Sequence, residues 1–434
     1  MRPASFHRSN VNGIRLHVLP TDRFKTYAIS VYLGTPLKEG NVTPTALVPF
    51  VLRRGTESLP ETKQVRARLD DLYGAGFGFD IYKRGNYQLV QFRTDTIDDR
   101  FAEGSASMLK QALAFLGEVL QRPAQENGRL VPHYVEAEKQ TLRRRIEAVG
   151  NDKMRYAAER CLEVMFEDDP YRLHPLGRAE EIEGISPESL FEHYREWLRT
   201  SPLDLYIVGN TTVEEAESLV REAFGLAGGE RAGYVPSPVS PIARPVKKAV
   251  DRLEVNQGKL NMGLRTGITY GDERYPAALL YNGVLGGYAH SKLFLNVREK
   301  ESLAYYASSS LDGHKGILTI QSGIEFANYD KAVSIILAQL EAMKRGDIDS
   351  LELQQTKAMI ANQLREIEDS AFEMIGFDFN NVLSGRERTV ASLIAAVEET
   401  GTDAIRAVAE QVELDTIYFL TNGEGGETDA SAGV

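Results

Sequence analysis

Short runs of period-two character alternate along this chain with longer stretches of helical periodicity. Residues 14–19, 27–33 (Tyr27-Ala28-Ile29-Ser30-Val31-Tyr32-Leu33) and 87–93 (Tyr87-Gln88-Leu89-Val90-Gln91-Phe92-Arg93) carry β-branched and aromatic side chains at the spacing of strands. Residues 100–121 and 132–149 place apolar positions at helical spacing, the second with a strongly charged outer face. Glu188 to Leu198 predicts another helix, and Leu203-Asp204-Leu205-Tyr206-Ile207-Val208-Gly209 a strand that closes the unit. Periodicity then stops between residues 225 and 245, where Gly228, Gly229, Pro236, Pro238, Pro241 and Pro245 gather. Proline fixes φ and lacks an N–H donor while glycine loosens the chain, so this stretch is expected to be a surface linker. Residues 422–434 are small and polar and are expected to be disordered. The alternation by itself predicts an α/β or α+β protein.

The second half repeats the first. Lys259-Leu260-Asn261-Met262-Gly263-Leu264 stands where Tyr27 to Leu33 stood. Ala277 answers to Ala46, Gly286 to Gly55 and Leu303 to Leu72, all at one offset of 231 positions (277 less 46). A constant offset over that span implies two halves of one fold rather than two unrelated domains.

Composition narrows the class. The 434 residues, 42% hydrophobic and 26% charged, suit a soluble globular protein of two or three domains. No run approaches the roughly 18 consecutive apolar residues of a spanning helix. The formal charge of -12 leaves no overall electrostatic footprint for nucleic acid. The lone Cys161 makes no internal disulfide, and Met1 to Arg8 lacks the apolar core of a signal peptide. A cytoplasmic location is the expectation.

Several chemistries drop out early. Among His7, His17, His133, His174, His193, His290 and His314 no two are four apart, so no helix presents paired imidazoles to a metal. Cys161 sits among Leu162, Val164 and Met165 and reads as a small buried apolar group rather than a nucleophile. Neither a G-x-S-x-G elbow nor a phosphate-binding P-loop occurs. Gly74-Ala75-Gly76-Phe77-Gly78 follows a charged helical stretch instead of a strand, so it reads as a helix-to-strand turn and not a dinucleotide loop.

The most informative segment runs from Leu285 through Gly286-Gly287, Ser291-Lys292-Leu293-Phe294, Val297-Arg298-Glu299-Lys300 and Leu303-Ala304-Tyr305. In this order and spacing the chain resembles the insulinase/pitrilysin/mitochondrial-processing-peptidase family of zinc metallopeptidases. His174-Pro175-Leu176-Gly177-Arg178 and the run from Tyr194 to Gly209 extend the likeness to nearly the whole chain. The resemblance implies an α+β fold of two related α/β halves, each a mixed or mainly antiparallel sheet covered by helices. They are expected at residues 1–224 and 246–421, joined by the linker.

The resemblance also implies where a metal would sit. The family's H-x-x-E-H helix precedes an Arg-Gly-Thr, found here at Arg54-Gly55-Thr56, which places the five positions at Ala46, Leu47, Val48, Pro49 and Phe50. The remaining ligand is expected seven residues after Glu138, at Arg145. Alanine and phenylalanine have no lone pair to offer, and a guanidinium stays protonated at any working pH. A cation about 4 Å from Zn²⁺ is repelled by roughly 8 kcal/mol at an effective dielectric near 20. Pro49 inside a helix begun at Thr43-Pro44 costs about 3 kcal/mol unless that helix kinks or starts later. Without the ion there is no water of lowered pKa and no Lewis acid, so the chain is not expected to cut peptides alone.

The other half of the family's site is present. Arg298 and Tyr305 match an arginine and a tyrosine, seven apart, that hold the substrate backbone in relatives. The plainer reading pairs Arg298 with Glu299 or Glu301 and makes Tyr305 the start of a core strand. Gly286-Gly287 is either an element of a substrate-binding loop or a place of close backbone packing. Arg143-Arg144-Arg145 either meets an acidic peptide or, as a solvated face, pairs with Glu136, Glu138 and Glu147. Ile317 to Ile324 is either a buried strand or an edge open to peptide addition.

Together these features predict a non-catalytic, substrate-binding subunit of a heterodimeric zinc peptidase acting on short or unfolded peptides. This chain would bind no cofactor, and a partner of the same family would supply the zinc. The alternative is a peptide-binding or scaffold protein with no hydrolytic role, in the form of a homodimer.

Overall fold

A computed structural model describes residues 5–104, 107–225, 231–238 and 245–423. They form two compact units, each an α+β assembly with one mixed sheet.

The first unit holds strands β1 (His7–Val11), β2 (Ile14–Pro20), β3 (Thr26–Pro36), β4 (Gly76–Arg84), β5 (Tyr87–Ile97) and β6 (Leu203–Gly209), in the order β1-β2-β6-β3-β5-β4. All neighbours are antiparallel except β2 and β6. Strand β6 is buried along its whole length, as its largely apolar and aromatic run requires for the middle of a covered sheet, with the one charged side chain, Asp204, hydrogen-bonded to Arg15 and His17. One core is built from Leu16, Ile29, Val31, Leu33, Phe92, Leu205 and Ile207 on the sheet and from Leu47, Phe50, Leu113, Leu116 and Trp197 on helices.

The second unit holds β7 (Lys247–Arg252), β8 (Gly258–Arg265), β9 (Ala304–Asp312), β10 (Ile317–Ile324) and β11 (Glu413–Thr421), in the order β9-β10-β8-β11-β7. Here too one pair, β7 with β11, is parallel and the others are antiparallel. Leaving β1 aside, the two sheets have the same order and the same strand directions. The repeat inferred from a constant offset is therefore a repeat of topology. Strand β10 is paired on both sides, to β8 and to β9. Its buried-strand reading holds and its edge reading does not: the sheet edge belongs to β9.

The units do not follow chain order. The first takes residues 1–148, 173–235 and 369–379; the second takes 149–172, 236–368 and 380–434. A single crossing at the linker is thus not what the contacts give, because each sheet also recruits a helix from elsewhere in the chain. In the second unit that helix is Lys153–Met165, which crosses β8 closely enough that a Cβ on Gly263 would meet the Met165 sulfur at 2.6 Å. Arg160 on the same helix donates to Asp251 at 3.1 Å, and Tyr418 donates to the same carboxylate at 2.9 Å.

The 225–245 segment lies partly outside the described residues, which omit 226–230 and 239–244. Within it, Arg231 donates to the carbonyls of Leu198 and Ser201, and Tyr234 packs edge-on against Tyr87. This part is pinned to the first unit, since its arginine and tyrosine find partners that glycine and proline cannot. Of the expected tail, 424–434 lie outside the described residues. The helix expected at 100–121 spans Met108–Gln121, preceded by a short turn at Asp99–Phe101. No helix among the described residues is long and apolar enough to cross a membrane.

Candidate functional site

In the first unit the site is built on the Val42–Leu52 helix, which is buried nearly all round and so belongs to the core rather than to the surface. Pro44 falls in its first turn, where the missing N–H has no helical partner to lose. Pro49 lies inside, and the helix runs through it to Leu52. Ala46, Pro49 and Phe50 are all buried. The Phe50 ring meets the Phe79 ring of β4 edge-on, centroids 4.9 Å apart.

The Pro132–Asn151 helix supplies the other wall. Its Arg145 places the guanidinium 4.8 Å from the Phe50 ring centroid, while Arg53 stands 5.6 Å from the same ring and 5.4 Å from Phe79. Two turns before Arg145, the fully buried Glu138 accepts from Arg54 through one carboxylate oxygen. Its second oxygen makes no hydrogen bond and lies 3.7 Å from Arg53. Burial and the neighbouring Arg54 and Arg145 charges pull the Arg53 pKa down, against the opposing pull of Glu138.

These residues do not fit a zinc ion. The positions that a zinc helix would occupy carry a methyl group, an imino ring and an aromatic ring, and the facing helix presents a permanent cation. Among the described residues, no group of three or more His, Cys, Asp or Glu side chains could hold a metal. His193 bonds the Thr45 hydroxyl at 2.8 Å, one residue from Ala46, and burial holds its pKa below the ordinary histidine value. The solvated-face reading of Arg143-Arg144-Arg145 needs correcting in its partners. Arg143 pairs with Glu183, Glu136 pairs with Lys139, and Glu138 pairs with Arg54. Arg145 stacks on an aromatic ring instead. Sequence reasoning missed Arg53, Arg54 and Phe79, although Arg54 lies within the Arg-Gly-Thr used to locate the motif.

In the second unit the matched residues lie on two π-helical segments and the strand that follows. Gly286 and Gly287 close the Gly283–Gly287 segment and Arg298 lies in Phe294–Lys300. Single π-turns disrupt ordinary helical spacing and are frequent at functional positions. A Cβ at Gly286 would come within 2.6 Å of the Ser309 amide on β9, so this glycine permits close packing; Gly287 is exposed. Arg298 stacks over Phe294 at 4.6 Å and only approaches Glu299, at 3.9 Å, leaving its side chain 43% exposed. Tyr305, on the edge strand β9, is 65% exposed and donates to Glu325 at 2.9 Å. That hydrogen bond and the Glu325 charge raise the phenol pKa, so the hydroxyl stays a proton donor. Tyr305 is therefore not the start of a core strand. Arg298 and Tyr305 turn to different partners in this structure, and both remain open to solvent.

Comparison with known proteins identifies the family and the fold. Residues 184–360 match the family described as peptidase M16 inactive domain. The chain is 38% identical over 419 residues to the probable inactive metalloprotease YmfF of Bacillus subtilis, covering 96% of this chain and 98% of that one. It is 25% identical over 240 residues to the uncharacterized zinc protease YmxG of the same organism, 55% of this chain and 58% of that one. Among solved structures, a conserved protein from Enterococcus faecalis superposes with a TM-score of 0.90 at 30% identity, covering 98% of this chain and 100% of that one. A peptidase M16 inactive domain from Pseudomonas fluorescens shares the fold, with a TM-score of 0.80 at 15% identity over 97% of this chain and 99% of the other.

Proposed function

The chain belongs to the peptidase M16 family, the insulinase/pitrilysin/mitochondrial-processing-peptidase family of zinc metallopeptidases, and we propose that it serves there as the non-catalytic, substrate-binding subunit of a two-chain peptidase. It is an inactive homologue of those enzymes. A family partner bearing H-x-x-E-H would supply the zinc, and this chain would hold short or unfolded peptides in the cytoplasm.

One observation carries the reading: the loss is one-sided. Phe50 and Arg145 fill the metal positions, while Arg298 and Tyr305 stay exposed, Arg298 with its N–H donors unused by any described residue and Tyr305 bonded to Glu325, an acceptor that a peptide carbonyl would have to replace. A guanidinium fork donates to peptide carbonyls or a carboxylate, and a phenol donates to a carbonyl oxygen.

The test is co-purification of the native protein, followed by cleavage of an unfolded peptide by the mixture. Neither chain alone should cleave, and the mixture should do so only with zinc. Arg298→Ala should lower its rate about tenfold or more. A stable homodimer with no family partner, or a mixture equally active with Arg298→Ala, would favour a scaffold without hydrolytic role.

A further inference from the structure

We infer that Arg53 and Arg145, held over the Phe50 ring, form an anion site that takes a carboxylate side chain of a bound peptide. The reading rests on the proposed peptide-binding role only for the source of that carboxylate.

Charge is the first argument. Among the described residues, this cluster sets the guanidiniums of Arg53, Arg54 and Arg145 against the single carboxylate of Glu138. The excess positive charge stands out in a chain whose formal charge is -12. Like charges so placed repel one another, and an incoming anion relieves that repulsion.

Donor geometry is the second. Arg54 is committed to Glu138, but neither Arg53 nor Arg145 donates a side-chain hydrogen bond to any described residue. Arg53 approaches the second Glu138 oxygen only to 3.7 Å, beyond hydrogen-bond reach. Both guanidiniums lie against aromatic rings, which orients the planar groups without using their N–H donors. Forks held in this way suit a planar carboxylate.

Access is the third. The Arg53 side chain is 40% exposed and Arg145 is an exposed residue, so an incoming group can reach both. Phe50 lies completely buried beneath them as a fixed floor. The substitutions that exclude a divalent cation have thereby left a site of fixed positive charge for an anion.

The experiment titrates the full chain with a fluorescent alanine-based peptide containing one glutamate, and with the same peptide containing glutamine instead. The glutamate peptide should bind about tenfold more tightly, as expected for charge-assisted donors, with the gap narrowing in salt. Arg53→Gln combined with Arg145→Gln should abolish the difference, with melting checked to confirm the fold. Arg298→Ala should weaken both peptides and keep their ratio. If Arg298→Ala leaves the affinity of both peptides unchanged while the glutamate preference persists, this site is supported and the role given to Arg298 is removed. Equal affinity of the two peptides, no binding of the glutamate peptide, or a preference that survives in the double variant overturns the inference.

Discussion

Tyr32 and Phe379 stack face to face, ring centroids 3.8 Å apart and planes 10° from parallel. Tyr32 is central in the first sheet, whereas Phe379 comes from the Ala371–Ser384 helix, far along the chain. Next to it, Asp378 accepts two hydrogen bonds from Arg8, at 2.8 and 3.0 Å, and one from Tyr206 at 2.9 Å. Phe379→Ala should lower stability by about 3–5 kcal/mol, since it opens a cavity between buried rings. Asp378→Ala should cost about 1–3 kcal/mol, because the Tyr206 hydroxyl is then buried without its acceptor. Urea unfolding of each variant gives the comparison.

Stability should also depend on acid through Asp204. Burial alone would raise its pKa, but donated hydrogen bonds from His17 and Arg15, with the Arg15 charge, hold it below the ordinary value. A folded pKa below the unfolded one gives stability that is full above about pH 4 and lost as pH falls through the folded value. Thermal midpoints should therefore drop steeply below pH 4. Asp204→Asn should be less stable at pH 7 and less sensitive to acid, and an unchanged acid slope would count against this assignment.

Cys161 should be silent toward thiol reagents in the folded protein. It is 1% exposed, and burial pushes its thiol up to about 12, with the Asp415 charge adding to the effect. The thiolate is the reactive form, so labelling should follow unfolding. Rapid labelling at neutral pH without unfolding would contradict the buried placement.

Much of the fold was legible because local pattern and tertiary demand agree. The strands at 14–19, 27–33, 87–93 and 203–209 are found with boundaries shifted by a few residues at most, since each is apolar enough to fill a covered sheet. The recruitment of Phe379 to the first unit was not legible. An aromatic residue on an amphipathic helix carries no mark of which sheet will bury it. Gly263 does mark the crossing of Met165 in hindsight, but a glycine within a strand has several possible causes.

The site was legible in its residue types more than in its contacts. That Ala46, Pro49, Phe50 and Arg145 offer no metal donor follows from chemistry alone. That Arg145 lies over Phe50, and that Arg53 shares the ring, depends on the packing of two helices distant in sequence. For Tyr305, edge position decides its exposure, and edge or interior is a property of sheet order that no single strand reveals.

The central claim is that this chain cannot hold the family's metal. Elemental analysis of the single chain, purified without chelator, equilibrated with zinc and dialysed, tests it most directly. The account predicts zinc far below one ion per chain, unchanged in Phe50→Leu and Arg145→Gln. One tightly held zinc per chain, lost when either of those residues is replaced, would contradict it.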